Sequence, residues 1–512
     1  MAGHNDFQDM YRNKVILAPM VRVGTLPARL LALRHGADLV YTEEVIDFKM
    51  INATRIKNEV IGTIDYKTKD GQLAFRTCTL ETSKVIFQMG TCSPTRALEV
   101  ARMVQNDVAG IDINMGCPKE FSLKGGMGAA LLRNPEKIKE ILTTLVNGLS
   151  IPVTCKIRVL PTLEENIELV QMIEGTGVAA IGIHGRLTAE RPRHKNRDHV
   201  IKQLAEAVKI PVIANGGSKE IKEYGDIEKF RLSCGASSVM IARAAEHNNS
   251  IFRKEGKLPL DDVIKAYLKL AIDYDSLFYN CKYNIQHMLC ELLDSERGRE
   301  FLATKTMADI CIIWDMLDYY NEVQEQMVAK ETMLRSQNEA VMIQATKKRK
   351  LEDGTEILEM PFEFVKNYYP VDASPKSILH DHCVSNYTAP PTYKTVDNAE
   401  HCFHSVMTLE GCKYASTIWH RSKKWAEQAA AVVYLLTNGM HDGRKPLRQS
   451  NSQEPQENGT NNKCSENTTI NNSTTNKSNT NNDTKQFNDS EQTSAFENDI
   501  SKEKQEEIRS NE

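Results

Sequence analysis

The chain has 512 residues, which is enough for two to four domains and a large buried core, and its formal net charge at pH 7 is −4. Residues 451–512 carry 12 acidic and 6 basic side chains, a net of −6, so the first 450 residues carry +2, too little to indicate nucleic-acid binding by itself. No apolar run reaches the ~18 residues of a membrane span and no signal-peptide core is visible, so we expect a soluble intracellular protein. No Cys-x-x-Cys pair occurs among the twelve cysteines, so we expect reduced thiols.

The first 250 residues alternate short β-branched segments with amphipathic segments, the pattern of βαβ units in a parallel sheet. Strands are predicted at 15–18, 39–42, 85–89, 110–114, 153–157, 179–183, 212–214 and 238–241, and helices at 95–105, 135–146, 163–174 and 199–208. Eight such units predict an α/β fold, a (β/α)8 TIM barrel over residues 10–255, with a doubly wound open sheet as the alternative. The long connection 43–80 predicts extra elements over the barrel mouth.

Polar and glycine residues follow the predicted strands at the end where barrels carry their active sites. They are Pro19, Met20, Val21, Glu43, Glu44, Gln88, Asn114, Cys117, Lys156, Arg158, His184, Asn215, Gly216, Gly217, Ala242 and Arg243. The two glycines and Arg243 stand where barrels commonly bind a phosphate, which indicates a phosphorylated cofactor. Lys156 is predicted either to contact a flavin ring or to form an ion pair with Glu43. Within this array His184 is interpreted as a cofactor contact rather than a core histidine.

The central motif is Asn114-Met115-Gly116-Cys117-Pro118, followed by glycines at 125, 126 and 128. Pro118 cannot continue a strand or a helix, so the thiol lies in a loop where a strand ends. A cysteine is usually a buried, inert side chain, but among these polar strand ends this one is predicted to react. A thiol with an ordinary pKa near ~8.5 is mostly protonated at neutral pH and can act as an acid.

Residues 256–335 show helical periodicity without strand signals and predict an all-α domain that either buttresses the barrel or helps to bind substrate. Residues 336–373 are predicted to be a linker. The basic run 347–350 within them is interpreted as a solvated patch, a nuclear import signal or a phosphate contact. The tail 448–512 is rich in Asn, Ser, Thr and Glu, and we expect it to be disordered.

Residues 374–439 predict a small α+β domain of one helix, three strands and a second helix. Lys423 and Lys424 stand at the N-terminus of the second helix, where backbone N–H groups and lysines together favour phosphates. The histidines and cysteines between 380 and 412 do not repeat the spacing of zinc ligands, so no metal is predicted.

Several motifs together resemble those of the tRNA-dihydrouridine synthases, which are flavin-dependent reductases. They are Leu17-Ala18-Pro19-Met20, Asn114-Met115-Gly116-Cys117-Pro118, Lys156-Ile157-Arg158, His184-Gly185-Arg186 and Asn215-Gly216-Gly217. The resemblance covers about residues 10–335. Residues 374–439 resemble a double-stranded-RNA-binding domain, including the Lys423-Lys424-x-Ala426 helix start. This order of domains is similar to the eukaryotic family members that modify uridine 20 in the D-loop of tRNA.

One departure concerns the loop 409–412, which is short and poor in basic residues, whereas double-stranded-RNA-binding domains insert a hairpin into the minor groove. We therefore expect RNA contacts from Lys366, Lys376, Lys423 and Lys424.

The resemblance implies FMN as cofactor and NADPH or NADH as reductant. The implied FMN contacts are Pro19, Met20, Val21, Gln88, Lys156, His184, Asn215, Gly216, Gly217, Ala242 and Arg243. Cys117 is implied to donate a proton to C5 of uracil as a hydride reaches C6, and Asn114, Arg158 and Lys156 are candidates to hold the base or stabilise its charge.

The resemblance also implies tRNA as a partner, and an aminoacyl-tRNA synthetase or a kinase responsive to double-stranded RNA as protein partners. We expect a cytoplasmic monomer, with a nuclear fraction if residues 347–350 act as an import signal. Two rival interpretations are a dihydroorotate-type oxidoreductase acting on a free metabolite and a non-enzymatic RNA-binding regulator.

Overall fold

The computed structural model describes residues 4–445, apart from residues 192, 218, 352–353 and 371; the predicted disordered tail lies outside the described residues. The strands of the N-terminal half are β1 (Val15–Leu17), β2 (Leu39–Tyr41), β3 (Val45–Ile46), β4 (Ala53–Asn58), β5 (Thr63–Thr68), β6 (Leu73–Thr77), β7 (Val85–Gly90), β8 (Gly110–Met115), β9 (Val153–Arg158), β10 (Ala180–His184), β11 (Val212–Asn215) and β12 (Ser238–Ile241). The helices are α1 (His4–Asp9), α2 (Leu26–Arg34), α3 (Asp47–Ile51), α4 (Pro94–Val104), α5 (Glu120–Lys124), α6 (Pro135–Gly148), α7 (Leu163–Glu174), α8 (Asp198–Ala207), α9 (Tyr224–Ser233) and α10 (Arg243–His247), with 3₁₀ turns at Gly128–Arg133 and Asn249–Phe252.

The barrel is closed, which confirms the predicted fold and excludes the open sheet. The strand order is β2-β1-β12-β11-β10-β9-β8-β7, all parallel, and β7 pairs back onto β2 with Val85 opposite Val40. Alternate side chains of each strand fill the interior, among them Ile16, Tyr41 and Ile213. The side chains between them point outward and pack against the helices. Tyr11 is fully buried at the N-terminal end of the strands, where it packs against the interior side chains and closes that end of the barrel.

The second βα unit departs from the prediction. A three-stranded antiparallel sheet, β4 to β6, takes the place of a long helix after β2. Phe75 packs edge-on against Phe87, which faces the outer layer of the barrel, and Tyr66 donates a hydrogen bond to the Met103 carbonyl on α4. The prediction of extra elements in residues 43–80 is confirmed, but the sheet β4 to β6 does not cover the mouth, because Tyr66 and Phe75 are buried against the outer wall of the barrel.

The helical domain contains α11 (Leu260–Asp273), α12 (Phe278–Leu289), α13 (Glu296–Ala303), α14 (Met307–Ile313) and α15 (Leu317–Gln344), with a 3₁₀ turn at Cys290–Asp294. Its core includes Tyr267, Phe301 and Trp314 and continues onto α2 of the barrel. The helix α12 reaches the barrel mouth, where Asn284 Nδ2 donates to the Arg22 carbonyl at 2.9 Å and the Arg22 guanidinium lies 5.5 Å from the Tyr283 ring. The domain therefore both supports the barrel and borders its mouth.

The C-terminal domain contains β13 (Lys347–Lys350), β14 (Glu356–Met360), α16 (Pro375–Ser385), β15 (Thr392–Asp397), β16 (Phe403–Leu409), β17 (Cys412–Ser416) and α17 (Lys423–Thr437), with a 3₁₀ turn at Lys366–Tyr368. The sheet order is β13-β14-β17-β16-β15, with β14 parallel to β17 and the other pairs antiparallel. The helix α17 packs across β16 and β17 and carries a nearly continuous buried alanine and valine face.

The interpretation of residues 336–373 as a linker is wrong. α15 runs on to Gln344, and β13 and β14 extend the sheet of the C-terminal domain. Met360, Phe362 and Phe364 are buried against α17, so this segment supplies core side chains. The basic run is the exposed edge strand β13, in which Lys348 and Arg349 pair with glutamates of β14. Within the described residues, no helix has the length and apolar character needed to cross a membrane.

Candidate active site

Five neighbouring barrel strands present polar side chains at one level of the interior. The strand register places Asn114 beside Lys156 and His184 beside Asn215, and Gln88 precedes them on β7. Because side chains alternate along a strand, these residues share the inward phase. The loop after β1 with Pro19, Met20 and Val21 and the start of α10 with Ala242 and Arg243 complete the same rim. The structure therefore brings together the residues that the strand ends predicted.

The loop that carries Cys117 is fixed by side chains from two strands. The Asn114 amide oxygen accepts hydrogen bonds from the backbone N–H groups of Gly116 and Cys117, both at 3.0 Å. Arg158 Nε donates to the Gly116 carbonyl at 2.8 Å. Gly128 approaches so closely that a Cβ there would lie 3.0 Å from the Cys117 Cβ. The thiol is therefore held in one place at the mouth, and Asn114 uses its oxygen for the turn.

A buried carboxylate beneath the mouth anchors this arrangement. Asp112 is 1% exposed and accepts hydrogen bonds from Gln88 Nε2 at 2.8 Å and from the Thr154 hydroxyl at 2.7 Å. Asn114 Nδ2 in turn donates to Gln88 Oε1 at 3.3 Å. Burial raises the pKa of Asp112 to about 6, and its hydrogen bonds oppose that rise. A chain of hydrogen bonds thus runs from Asp112 through Gln88 and Asn114 to the backbone of Cys117.

Two consecutive glutamates occupy the gap between β2 and β3. Glu43 Oε2 accepts a hydrogen bond from the backbone N–H of Arg22 at 2.8 Å. Glu44 interacts with the Cys117 thiol and the Asn114 amide, and burial raises its pKa to about 7. The carboxylate whose charge acts on Lys156 is Asp112 rather than Glu43, so the predicted alternative of a Lys156–Glu43 pair is wrong.

Burial raises the pKa of the Cys117 thiol to about 11, and the negative charge of Glu44 adds to the rise. This value lies above the ordinary one expected from the sequence. The thiol is therefore protonated across the physiological range, as an acid in the resting protein must be.

Four cations surround His184. Burial lowers the pKa of His184 well below its usual value, and Lys156, Arg158, Arg186 and Arg243 lower it further. Arg186 donates to His184 Nε2 at 3.1 Å and to the Gly216 carbonyl at 2.9 Å. Because a guanidinium can only donate, Nε2 accepts and the ring carries its hydrogen on Nδ1. This concentration of positive charge around a neutral imidazole favours an anionic ligand.

The loop after β11 brings buried backbone without side chains close to these cations. Gly216 has φ +118°, and a Cβ there would lie 2.1 Å from Asn196 Oδ1, an oxygen that is buried without a hydrogen-bond partner. Asn215 Nδ2 donates to the Met240 carbonyl at 2.9 Å and joins the ends of β11 and β12. A small cavity lies between Gly216, Gly217 and Ala242. The site suits a phosphate group, with Arg243 at its edge. Among the described residues, no cluster of His, Cys, Asp and Glu is suited to a metal ion.

Three of the four predicted RNA contacts, Lys376, Lys423 and Lys424, lie together in the C-terminal domain. Lys423 and Lys424 are exposed at the start of α17 and border a shallow depression with Lys376 and Gln428. Lys376 Nζ forms an ion pair with Glu427 at 2.6 Å and lies 4.2 Å from the Tyr393 ring. Lys366 is exposed in a 3₁₀ turn before α16. Among the four predicted RNA contacts, Lys366, Lys423 and Lys424 therefore have ammonium groups that are not paired with a carboxylate of the described residues.

The hairpin turns of the sheet alternate between its two ends. Phe403, at the start of β16, pairs with His420 just before α17, so the loop 398–402 lies at the same end as Lys423 and Lys424. The turn 409–412 joins the other ends of β16 and β17. The comparison of residues 409–412 with the minor-groove hairpin therefore concerned the wrong loop, because an antiparallel meander places successive turns at opposite ends and it is the loop 398–402 that lies near Lys423 and Lys424.

Comparison with known proteins agrees with this architecture. Residues 16–348 match the family described as dihydrouridine synthase (Dus), and residues 375–437 match the double-stranded RNA binding motif. The chain belongs to the dihydrouridine synthase family. This confirms the resemblance predicted from the sequence motifs.

Two similar relatives of this dihydrouridine synthase family member are yeast proteins. The tRNA-dihydrouridine(20) synthase [NAD(P)+] of Schizosaccharomyces pombe is 42% identical over 294 residues, which cover 54% of this chain and 60% of the relative. The protein of the same name from Saccharomyces cerevisiae is 37% identical over 299 residues, covering 54% of this chain and 78% of the relative. The crystal structure of the human tRNA-dihydrouridine(20) synthase dsRBD is 39% identical and covers 17% of this chain and 93% of that chain, with a TM-score of 0.17.

The sequence placed Glu44 among the strand-end residues of the barrel mouth without a specific role, and it indicated no site role for Asp112 and Arg186 of this family member. Each has a sequence feature that could have indicated a role at the site. Asp112 is a charged residue inside an apolar strand, Glu44 follows a strand, and Arg186 follows His184 in a motif. Their contacts depend on which neighbouring strand each one faces, and that is a property of the closed barrel.

Proposed function

We propose that this dihydrouridine synthase reduces uridine to 5,6-dihydrouridine at position 20 in the D-loop of tRNA, using FMN and NADPH or NADH. The two yeast relatives named for this reaction support the substrate and the reductant. The observation that carries the proposal is the turn of Cys117, which Asn114 and Arg158 fix at the same barrel rim as the cations around His184 and the glycines after β11.

The residues present fit FMN. The bare backbone at Gly216 and Gly217 and the side chain of Arg243 suit its phosphate, and the orphaned Asn196 oxygen suits a hydroxyl donor. Lys156 and His184 suit the polar edge of the ring system, with Gln88, Pro19, Met20 and Val21 as further contacts. When bound and reduced by NADPH or NADH, FMN supplies the hydride that C6 of uracil requires.

Cys117 supplies the proton. As C6 gains a hydride, negative charge develops on C5 and the adjacent carbonyl, and the S–H bond breaks as a C5–H bond forms. Lys156 stabilises this charge: burial lowers its pKa to about 8, but most of it is still cationic at pH 7. Arg158 is fixed by the carbonyls of Gly116 and Leu187 and adds positive charge on the same side of the mouth.

The barrel interior is filled, so a substrate base can reach the site only at the mouth. An RNA substrate must therefore carry a target base that can leave its stack. Loops allow this at modest cost. The C-terminal domain contributes affinity through phosphate contacts of Lys423 and Lys424, so we propose tRNA as the partner.

We predict that Cys117→Ala binds FMN and tRNA normally but forms no dihydrouridine, because the proton donor is lost. The measurement is mass spectrometry of tRNA after incubation with the variant, FMN and NADPH. Cys290→Ala is the matched control, since this exposed cysteine belongs to the helical domain and should leave turnover intact.

Normal turnover by Cys117→Ala would contradict the mechanism. Reduction of free orotate or uridine at a rate equal to that of tRNA would instead favour an oxidoreductase that acts on small metabolites.

A further inference from the structure

The proposed reaction leaves the thiol of Cys117 as a thiolate after every turnover. The next turnover cannot begin until the sulfur regains a proton. The thiol is half-buried, so this proton comes either from a neighbouring group or from water at the mouth. The inference that follows rests on the proposed function and concerns that second proton transfer.

Glu44 reaches the thiol because the strand breaks at this point. β2 ends at Tyr41 and β3 begins at Val45, and both pair with β7, so the residues between them leave the ladder at the mouth. A Cβ on Gly90 would lie 2.6 Å from Glu44 Oε1, so the glycine makes room for the carboxylate. Glu44 therefore points between β7 and the loop of Cys117.

The carboxylate of Glu44 faces two groups of the catalytic turn, the thiol of Cys117 and the side-chain amide of Asn114. Its other oxygen, Oε1, is buried and has no hydrogen-bond partner among the described residues. A buried carboxylate oxygen without a partner is costly, and a proton on it or an ordered water beside it removes that cost. The neighbouring Glu43 instead accepts a hydrogen bond from Arg22 and has a structural partner.

We propose that Glu44 returns the proton to Cys117 after each turnover. In the first transfer the S–H bond of Cys117 breaks as the C5–H bond of the base forms. In the second, the O–H bond of Glu44 breaks and the S–H bond forms again, leaving the Glu44 carboxylate. Water then protonates that carboxylate. One solvent proton is consumed for each dihydrouridine formed, which is the proton that the reduction of uracil requires.

The acidities of the two groups favour this direction. Burial raises the pKa of Glu44 to about 7, so a large fraction of it is protonated at neutral pH. Burial, and then the charge of Glu44, raise the pKa of Cys117 to about 11, so its thiolate is the stronger base. Lys156 and Arg158 are the cations that also interact with Cys117, and they oppose that rise.

The pH dependence follows from these values. The protonated fraction of Glu44 falls as the pH rises through about 7, so the rate of repeated turnover should fall there. A single turnover uses the proton already on the resting thiol, so its rate should not fall as the pH rises through 7, and it should fall only above about pH 8, where Lys156 loses its charge. The pH profiles of single and repeated turnover therefore distinguish Cys117, which donates the proton to the base, from Glu44, which returns a proton to Cys117.

The test compares Glu44→Gln with Glu43→Gln in the flavin-loaded full chain. With enzyme in excess over tRNA and NADPH present, the first dihydrouridine should form at the wild-type rate in both variants. With tRNA in excess, Glu44→Gln should lose about 100-fold in rate, the usual contribution of a positioned acid, while Glu43→Gln should not. Equal rates for Glu44→Gln and wild type in both regimes would overturn the proposal.

A second measurement is independent of turnover. The pH profile of iodoacetamide labelling at Cys117, read from its peptide by mass spectrometry, reports the pKa of the thiol with or without flavin. It should shift to lower pH in Glu44→Gln, because the neighbouring anion is removed, and stay unchanged in Glu43→Gln. An unshifted labelling profile in Glu44→Gln would show that the Glu44 carboxylate does not contact the Cys117 thiol, and the proposal would fail. If wild type forms no dihydrouridine in the single-turnover assay, the proposed function fails, and that result is distinct from either outcome for Glu44.

Discussion

Asp112 orients the catalytic turn without reaching it. Its two oxygens accept from Gln88 and Thr154, and Gln88 then fixes the amide of Asn114, whose oxygen holds the backbone of Cys117. Because every member has its partner, the network defines one arrangement of the mouth. The same residue lies beneath Lys156 and supports its positive charge, which opposes the lowering of the Lys156 pKa by burial.

We predict that Asp112→Asn weakens FMN binding about tenfold and lowers the free energy of unfolding by ~1–3 kcal/mol, since the new amide group faces a donor and one buried partner is left unpaired. FMN titration and urea unfolding measure the two effects.

The matched control is Asp107→Asn. Asp107 is also buried and accepts from Arg55 and Tyr66, but it lies on the outer wall of the barrel. This control should lose stability and keep its affinity for FMN. An Asp112→Asn variant with wild-type affinity would exclude the network from cofactor binding.

At the level of single residues, strand-end chemistry predicted most of the mouth from the sequence. Asn114, Lys156, His184 and Asn215 come together because parallel strands of similar length end at one rim. The role of Glu44 could not be predicted in this way. Which of two adjacent glutamates turns toward the thiol depends on the break between β2 and β3, a consequence of pairing with β7.

Among the elements, the loop between β11 and α9 depends on its glycines. Gly216 lies in the left-handed region that side chains rarely adopt, and its Cα hydrogen faces Asn196. We predict that Gly216→Ala lowers FMN affinity at least about tenfold, because the backbone must move away from the cavity at a cost of ~1–3 kcal/mol.

Gly225→Ala is the control for that substitution. Gly225 lies in the first turn of α9, and the nearest atom to an added Cβ is 4.0 Å away. FMN titration of both variants measures the effect. Similar affinities for the two variants would show that the loop does not contact the cofactor.

The strands of the barrel were predictable because buried parallel strands have short apolar, β-branched sequences. The strands β13 and β14 were not, because their exposed faces are strongly charged and the basic run suggested a solvated segment. A signal lay in the buried apolar residues at the end of β14 and just after it, Met360, Phe362 and Phe364, whose spacing by two is typical of an extended segment with one buried face.

In the whole molecule, α15 joins the barrel to the RNA-binding domain. Lys330 Nζ donates to the Val60 carbonyl of the β4–β5 hairpin, Arg335 donates to the Lys445 carbonyl, and Arg444 pairs with Glu339 at 2.5 Å. One polar helix therefore contacts both domains. The order of domains was predictable from the resemblance, whereas this continuous connection was not, since it depends on contacts across more than 100 residues of sequence.

We predict that Lys423→Glu combined with Lys424→Glu weakens tRNA binding at least about tenfold at low salt and makes the dependence of log Kd on log salt less steep, because two phosphate contacts are lost. Reduction of bound flavin by NADPH should not change, since the barrel is distant in sequence and fold. Filter binding across a salt series measures the affinity.

Lys413→Glu is the charge-matched control for each substitution, because it stands at the opposite end of the sheet, next to the turn 409–412. Equal tRNA affinity of the double variant and wild type would remove α17 from the RNA interface.

The most direct measurement on the central claim is the fate of solvent hydrogen in the product. Wild-type protein with FMN, NADPH and tRNA is incubated in heavy water, and the isolated dihydrouridine is analysed by mass spectrometry and NMR. A thiol that exchanges with solvent and protonates C5 predicts one deuterium at C5, whatever isotope C6 carries, since the N5–H of reduced flavin also exchanges with solvent. Dihydrouridine without deuterium at C5, or tRNA that stays unreduced, would contradict the account.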